Sequence, residues 1–328
     1  MLRRRALNAG TLGGLAAILL WSTTVALARS LSEQLGPLSA AAAVYLVGGL
    51  AALIRLAHPG GRQRAWRQLP WRYVLGCGAL FVLYMLVLFL GVGRAATRAQ
   101  AQEVALLNYL WPALTILFSL LILDKRAHWL LVPGTLVGLT GVFLVLTQEA
   151  TVSWSSFTRN LAGNPTVYAL GLAAAVTWAL YSNLTRRWAG DSDVGGVELF
   201  LPVTGLVLFS LSRLAGESPL WTRQAAVEAV FLGLVTWFAY GLWDRAMRQG
   251  DVVLVAAFSY LTPLFSTIVS SLYLAIRPKP VLWWGCVCII VGSMVSWRSV
   301  SERGGGLDSA ETPSLTPNPE EKLPATPD

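Results

Sequence analysis

The side chains that could carry out catalysis or bind a metal are few and scattered along this chain of 328 residues. Its two histidines are His58 and His128, and its three cysteines, Cys77, Cys286 and Cys288, show no spacing typical of a metal site or a disulfide. An enzyme needs a nucleophile, a base or metal ligands placed together. We therefore predict that the protein is not an enzyme and uses no metal and no cofactor.

Carboxylates are also scarce in the apolar parts of the chain. Glu103, Glu198, Glu228 and Asp244 all lie near the ends of apolar segments. Proton relays and cation sites normally place acids deeper inside membrane segments. The pattern disfavours a multidrug cation exporter and favours a neutral or zwitterionic solute.

Aromatic residues inside apolar segments are better candidates for binding. Trp21, Trp111, Trp178 and Trp237 lie well inside such segments, where an indole N–H needs a partner. Such rings bind a ring-bearing solute edge-to-face or offset, and an ammonium by cation–π attraction. Close helix packing is the alternative for each residue. We predict a solute cavity lined by Trp21, Tyr84, Asn108, Trp111, Trp178, Trp237, Tyr240 and Ser259.

Two prolines strengthen the prediction for Asn108 and Ser259. Pro112 and Pro263 interrupt apolar segments at matching positions, and each leaves the carbonyl four residues earlier, at Asn108 or Ser259, without its N–H donor. Paired, proline-interrupted segments are the best sequence indicator of a transporter's binding site. A packing kink satisfied by a neighbouring helix is the alternative.

The composition requires these residues to lie in membrane helices. Hydrophobic residues make up 55% of the chain and charged residues 13%, against about 25% charged in soluble proteins. Apolar runs of about 18 residues or more are typical of membrane spans. The sequence therefore predicts an all-α membrane protein of ten spans, at roughly 9–27, 38–54, 74–92, 104–123, 130–147, 166–185, 197–212, 226–243, 253–274 and 281–297.

The net charge of +8 is explained by membrane topology and not by nucleic-acid binding. With the N-terminus inside, the ten spans place 17 of the 25 Lys and Arg residues in inside segments and the remaining eight outside. This is the positive-inside distribution. Both termini are thus predicted to be cytoplasmic. The Gly-, Pro- and acid-rich segment 301–328 is predicted to be a disordered cytoplasmic tail.

The chain contains an internal repeat. Residues 94–141 align without gaps onto 245–292 at an offset of 151, with 14 identities in 48 positions, and Trp21 matches Trp178 at an offset of 157. The first repeat is predicted at 1–150 and the second at 151–300. Because each holds five spans, the second enters the membrane from the opposite side. Such inverted repeats surround a central site in secondary transporters.

Three motifs make the family recognisable: Trp21-Ser22-Thr23, the run Ala96–Val104, and Asn108-Tyr109-Leu110-Trp111-Pro112. With the ten-span repeat, they resemble the EamA-type drug/metabolite transporter superfamily and, within it, an exporter of aromatic amino acids. The resemblance covers about residues 1–298. It implies a basket of ten helices around a central cavity in a bacterial inner membrane. It places Trp21, Asn108 and Trp111 in matched motifs. Glu103 also lies in a matched motif, and we expect it to act as a cap at a helix start, where an acid opposes the helix dipole, with proton coupling as the alternative.

We therefore expect a transporter that exports phenylalanine, tyrosine and tryptophan, and other small amino acids or metabolites, by alternating access. Export of a different small neutral solute, or of a drug, is the alternative. A membrane enzyme and a receptor-like bundle are disfavoured by the sparse chemistry and the symmetric prolines. The expected partners are the solute and the lipid bilayer, with no nucleic acid. We expect a monomer, with a dimer through Gly134-xxx-Gly138 as the alternative.

Overall fold

The computed structural model describes residues 8–57, 68–147, 154–189, 194–273 and 280–301. The tail beyond residue 301 and the first seven residues lie outside this part. The described chain is almost entirely helical. Its helices are α1 Ala9–Leu35, α2 Pro37–Ala57, α3 Gly78–Gly93 after a π-helical segment Arg72–Cys77, α4 Arg98–Asn108, α5 Trp111–Ile122, α6 Leu131–Thr147, α7 Trp154–Gly163, α8 Pro165–Trp188, α9 Val197–Leu214, α10 Arg223–Gln249, α11 Val252–Phe258, α12 Leu261–Tyr273 and α13 Pro280–Arg298.

The helices confirm a multi-pass membrane protein. Within the described ranges, seven helical stretches are long and apolar enough to cross a membrane, and nine if two bent pairs each count as one span. The bends are 50° within α1 and 41° between α11 and α12. Helix α6 is apolar but only 17 residues long. The count of ten spans therefore stays a prediction.

Side-chain caps fix where several helices begin. Asn8 accepts a hydrogen bond from the Thr11 N–H ahead of α1, and Thr97 accepts one from the Gln100 N–H ahead of α4. Asp251 accepts from two N–H groups at the start of α11. Each cap satisfies amide donors that the first helical turn leaves free. The sequence-based expectation that Glu103 caps α4 was wrong, because Thr97 does so.

The first of the bundle's two ends, which we call the Arg55 end, is the one at which α1 begins. There Asn8 donates to the Gln249 carbonyl at 2.7 Å, and Arg186 donates to the Arg248 carbonyl. Arg187 reaches the Ile122 carbonyl at 2.6 Å. Two short antiparallel strands, β1 Arg126–Ala127 and β2 Val300–Ser301, also pair there. They join the connection between α5 and α6 to the segment after α13.

The opposite end, which we call the Tyr45 end, collects the other set of connections. Glu217 accepts hydrogen bonds from the N–H groups of Leu38 and Ser39, which links the start of α2 to the segment after α9. Thr222 donates to Gln34 at 2.8 Å. Alternate connections thus gather at opposite ends, as expected of helices that cross a membrane in turn.

Helices from the first part of the chain pack mainly against helices from the second part. Helix α1 packs against α10 and α12, while α8 packs against α3 and α4. Helix α2 packs against α9, and α6 packs against α13. The core is therefore shared between the two parts of the chain.

Two glycine contacts are equivalent under the offsets found in the sequence. A Cβ on Gly14 would lie 2.7 Å from Val255, and a Cβ on Gly171 would lie 2.9 Å from the Val104 carbonyl oxygen. Gly14 and Gly171 are 157 residues apart, and Val104 and Val255 are 151 apart. Close approach at both places requires a residue without Cβ. It brings α1 against α11 and α8 against α4 in the same way.

The glycines of α6 are used within the chain. Gly134 lies against Ser296, and Gly138 lies near Gly292. A Cβ on Gly141 would come within 2.6 Å of the Gly285 carbonyl oxygen. Small residues let two membrane helices approach closely, and here the partner helix is α13. The glycine motif is thereby occupied inside one copy of the chain.

Candidate functional site

Eight aromatic rings meet in the centre of the bundle. We call this group the aromatic cluster; its members are Trp21, Phe81, Tyr84, Trp111, Trp178, Tyr181, Tyr240 and Trp243. Trp178 lies at its middle, with the other seven ring centroids 4.7–6.3 Å away. The rings come from α1, α3, α5, α8 and α10, so both parts of the chain contribute. Edge-to-face and tilted contacts of this kind are those that aromatic rings prefer.

Helical spacing explains how so many rings reach one place. Phe81 and Tyr84, Trp178 and Tyr181, and Tyr240 and Trp243 are three pairs at a spacing of three residues. Residues three apart lie on one face of a helix, so three helices each present two rings to the same point. Ala174, Ala175 and Ser182, near Trp178 on α8, are small and buried.

The rings contact one another instead of lining an open cavity. Trp178 is 2% exposed and Trp243 is fully buried. Cavities flank the cluster on two sides. The first, the Tyr45 pocket, has a volume of about 180 Å³ and is lined by Trp21, Tyr45 and Tyr240 among others. The second, the Arg55 pocket, has a volume of about 210 Å³ and lies at the Arg55 end.

Two polar atoms at the cluster are buried without a hydrogen-bond partner in the described part of the chain. They are the Trp243 Nε1 donor and the Asn108 Oδ1 acceptor. The Asn108 side chain also interacts with the Tyr84 hydroxyl, which places it beside the rings. Most buried polar groups are paired, so each exception needs a reason. An unmet donor and an unmet acceptor among aromatic rings are suited to a polar, ring-bearing ligand.

On the Tyr45 side, hydroxyl groups border the cluster. The Tyr45 and Tyr240 hydroxyls are 3.0 Å apart, and Tyr45 also donates to the Met85 sulfur at 2.8 Å. Tyr45 is on α2 and Tyr240 is on α10, so the bond joins helices from the two parts of the chain.

On the Arg55 side, a buried ion pair borders the cluster. Arg248 Nε lies 2.9 Å from Asp244 Oδ2, with both side chains at most 3% exposed. Tyr73 and Tyr181 each donate a hydroxyl to Asp244 Oδ1, and Tyr73 accepts from the Gly196 N–H at 2.7 Å. Burying charges is tolerated when they are paired and hydrogen-bonded. Asp244 therefore connects α10 to the segment before α3 and to α8.

The structure brings most of the sequence-predicted site residues together. Trp21, Tyr84, Trp111, Trp178 and Tyr240 are in the cluster, and Asn108 is beside it. Trp237 lies elsewhere, in the Arg55 pocket, where the Arg55 guanidinium lies 5.7 Å from its ring centroid. The rotation of α10 places Trp237 on a different face from Trp243.

The helix breaks occur where the prolines predict them but have a different form. Helix α4 ends at Asn108 and α5 begins at Trp111, with Pro112 second in α5. Helix α11 ends at Phe258 and α12 begins at Leu261, with Pro263 third. The prolines thus sit in the first turn of a new helix, where a missing N–H costs little. They do not kink a continuous helix.

Ser259 corrects the expectation of a free carbonyl at the second break. Its carbonyl accepts from the Thr262 N–H at 3.1 Å, and its hydroxyl donates to the Val255 carbonyl at 2.8 Å. Both polar groups are therefore used by neighbouring residues of the same segment. The structure does not offer them to a solute.

Sequence reasoning left Phe81, Tyr181, Trp243 and the Asp244–Arg248 pair out of the predicted site. The aromatic pairs at a spacing of three could have indicated the first three. The spacing of four between Asp244 and Arg248 could have indicated an ion pair on one helix face. In the described ranges, no group of three or more His, Cys, Asp or Glu is placed to hold a metal ion.

Comparison with known proteins agrees with this architecture. The model of the EamA-like transporter family matches residues 8–147 and 165–298. The aromatic amino acid exporter YddG of Salmonella typhimurium (strain 14028s / SGSC 2262) is 36% identical over 294 residues, covering 89% of this chain and 98% of the relative. The protein of the same name in Escherichia coli (strain K12) is 35% identical over 288 residues, covering 88% and 96%.

A solved crystal structure has a similar fold. It superposes with a TM-score of 0.71 at 29% identity, covering 89% of this chain and 98% of the other. The resemblance predicted from the span 1 and span 4 motifs is confirmed by the family match and by the relatives. The chain belongs to the EamA-like transporter family and is a membrane transporter.

Proposed function

We propose that this transporter exports aromatic amino acids, phenylalanine, tyrosine and tryptophan, together with other small amino acids or metabolites. The observation that carries the proposal is the aromatic cluster around Trp178, with the Trp243 N–H and the Asn108 oxygen, which have no hydrogen-bond partner among the described residues. The rings suit an aromatic side chain, and the two polar atoms suit a carboxylate and an ammonium. The names of the relatives point to the same solutes.

We further propose that transport occurs by alternating access between two inverted five-helix repeats, at 1–150 and 151–300. The equivalent packing of α1 with α10 and of α8 with α3 supports this arrangement. So do the paired contacts Gly14–Val255 and Gly171–Val104 and the two separate family matches. A cavity on each side of closed rings is what a site that opens alternately would need.

The location follows from the same argument. We propose a bacterial inner membrane with both termini cytoplasmic, since the Arg55 end carries Arg186, Arg187, Arg245 and Arg248. The working unit is proposed to be the monomer, because the α6 glycines pack against α13. A different small neutral solute, such as another metabolite or a drug, is the alternative substrate.

Uptake into liposomes tests the proposed function. Purified protein is reconstituted, and uptake of labelled phenylalanine is measured with unlabelled tryptophan, lysine or glutamate as competitors. We expect saturable uptake that tryptophan blocks and lysine and glutamate do not. Uptake no greater than in empty liposomes would overturn the aromatic amino-acid assignment and favour the alternative solute.

A further inference from the structure

The Arg55 pocket lies at the Arg55 end of the bundle and is lined by charged residues. We propose that the Arg55 pocket binds the zwitterionic head group of an α-amino acid before its side chain reaches the aromatic cluster, with Arg55 holding the carboxylate and Glu198 the ammonium. The inference rests on the proposed function, because it assumes that the solute is an amino acid.

The pocket combines the chemistry that a zwitterion needs. Arg55, at the end of α2, and Glu198, at the start of α9, present opposite charges across it, with Arg55 Nη1 3.6 Å from Glu198 Oε1. That distance is long for a charge-assisted hydrogen bond. Trp237 supplies an apolar floor under the Arg55 guanidinium.

The two ion pairs of the pocket differ in how readily they can part. Asp244 and Arg248 are almost completely buried and further hydrogen-bonded by Tyr73 and Tyr181. The side chains of Arg55 and Glu198 are 41% and 15% exposed. Partly exposed ion pairs contribute little, so an inserted zwitterion replaces one weak contact with two charge-assisted ones. The ligand therefore enters between Arg55 and Glu198 and leaves the buried pair intact.

The position of the pocket supports a loading role. Asp244 lines it, and the adjacent Trp243 is in the aromatic cluster. Tyr181 is also in the cluster and donates to Asp244. A solute held between Arg55 and Glu198 would thus share its pocket with Asp244, which is next to one ring of the cluster in the sequence and is hydrogen-bonded to another. In the orientation proposed above, this is the side from which an exported solute arrives.

Competition by analogues that lack one head-group charge tests the site. Inhibition of a trace of labelled phenylalanine uptake is measured for unlabelled phenylalanine, 2-phenylethylamine, which lacks the carboxylate, and 3-phenylpropanoate, which lacks the ammonium. In the Arg55→Gln variant, the half-inhibiting concentration of phenylalanine should rise about tenfold, while that of 2-phenylethylamine stays unchanged. In Glu198→Gln, the half-inhibiting concentration of phenylalanine should rise by a similar factor, while that of 3-phenylpropanoate should stay unchanged.

Two control variants test whether the effect is specific to the charges of the Arg55 pocket. Arg29→Gln removes an exposed ion pair with Glu33 outside the pocket and should leave all three values unchanged. Arg55→Lys keeps the charge and should restore most of the phenylalanine inhibition. The head-group site would be overturned if the half-inhibiting concentrations of all three compounds rose equally in both variants, or if none of them changed in either variant. Phenylalanine uptake by the wild-type protein shows separately whether the proposed function holds.

Discussion

The aromatic cluster is bordered by different chemistry on its two sides. On the Arg55 side, a buried carboxylate and guanidinium are paired at 2.9 Å, and two tyrosine hydroxyls complete the network. On the Tyr45 side, the Tyr45 and Tyr240 hydroxyls meet at 3.0 Å. The Arg248–Asp244 pair lies within α10. The bonds that join the two parts of the chain are Tyr73–Asp244, between the segment before α3 and α10, and Tyr45–Tyr240, between α2 and α10, so these two bonds must part if access alternates.

The two bonds that border the cluster differ in strength. A hydrogen bond to a charged group such as the Asp244 carboxylate contributes about 1.5–3 kcal/mol, whereas a neutral hydrogen bond contributes about 1 kcal/mol. Of the two bonds that border the cluster, the one to Asp244 is therefore the stronger. The Tyr45–Tyr240 bond involves only neutral groups, while nearer the Tyr45 end the carboxylates of Glu217 and Glu228 also link the two parts of the chain.

The largest expected effect comes from breaking the buried ion pair. Asp244→Ala leaves the Arg248 guanidinium buried without its carboxylate, so we expect a loss of about 3–5 kcal/mol of stability. The double variant Asp244→Leu with Arg248→Met removes both charges and should recover most of the loss. Thermal unfolding in detergent measures both. Equal destabilisation of the single and double variants would contradict the role of the pair.

The next effect concerns the cluster itself. Trp21→Ala removes a ring that contacts Trp178, Tyr240 and Trp243, and Asn108→Ala removes the unpaired buried oxygen. We expect each to lower phenylalanine transport about tenfold, equivalent to about 1.4 kcal/mol, while insertion into the membrane is retained. Flux and the amount of inserted protein are measured in the same liposomes. Normal flux in both variants would remove the site assignment.

A smaller effect is expected on the Tyr45 side. Tyr45→Phe removes its hydroxyl bonds to Tyr240 and Met85 and keeps the ring. We expect a loss of about 1 kcal/mol in the free energy of unfolding. A loss as large as that of Asp244→Ala would show that the neutral Tyr45–Tyr240 bond contributes as much to stability as the buried ion pair.

The smallest effect is expected for an exposed ion pair. Arg29 and Glu33 are 66% and 64% exposed and lie 2.9 Å apart on one helix face. We expect Arg29→Gln to change stability by less than about 0.5 kcal/mol. Thermal unfolding at low and high salt checks this prediction. A marked, salt-dependent loss of stability would show that the exposure of an ion pair does not determine how much it contributes.

The sequence predicted the helices and much of the site because those features are local. Long apolar runs specify membrane helices, and the repeat singled out Trp21 and Trp178 as a pair. Both residues lie in the aromatic cluster. The matching prolines likewise marked the two helix breaks.

The features that sequence missed depend on contacts between distant helices. Asp244 lies near the end of an apolar run, and only the approach of Tyr73 and Tyr181 shows that it is buried and bonded. The position of Trp237 depends on the rotation of α10 against α2, which hydropathy does not specify. The environment of Glu103 was also missed, because its hydrogen-bond partners Asn160 and Tyr168 lie more than fifty residues away along the chain.

The central claim is that aromatic amino acids bind at the rings around Trp178. Ligand that binds only the folded protein raises the unfolding temperature, so thermal shifts with phenylalanine, tryptophan, lysine and glutamate test it without a transport assay. We predict that phenylalanine and tryptophan raise the unfolding temperature of the wild-type protein and of Arg29→Gln, and do so far less in Trp178→Phe. Equal shifts in Trp178→Phe and the wild type, or equal shifts with all four amino acids, would contradict the account.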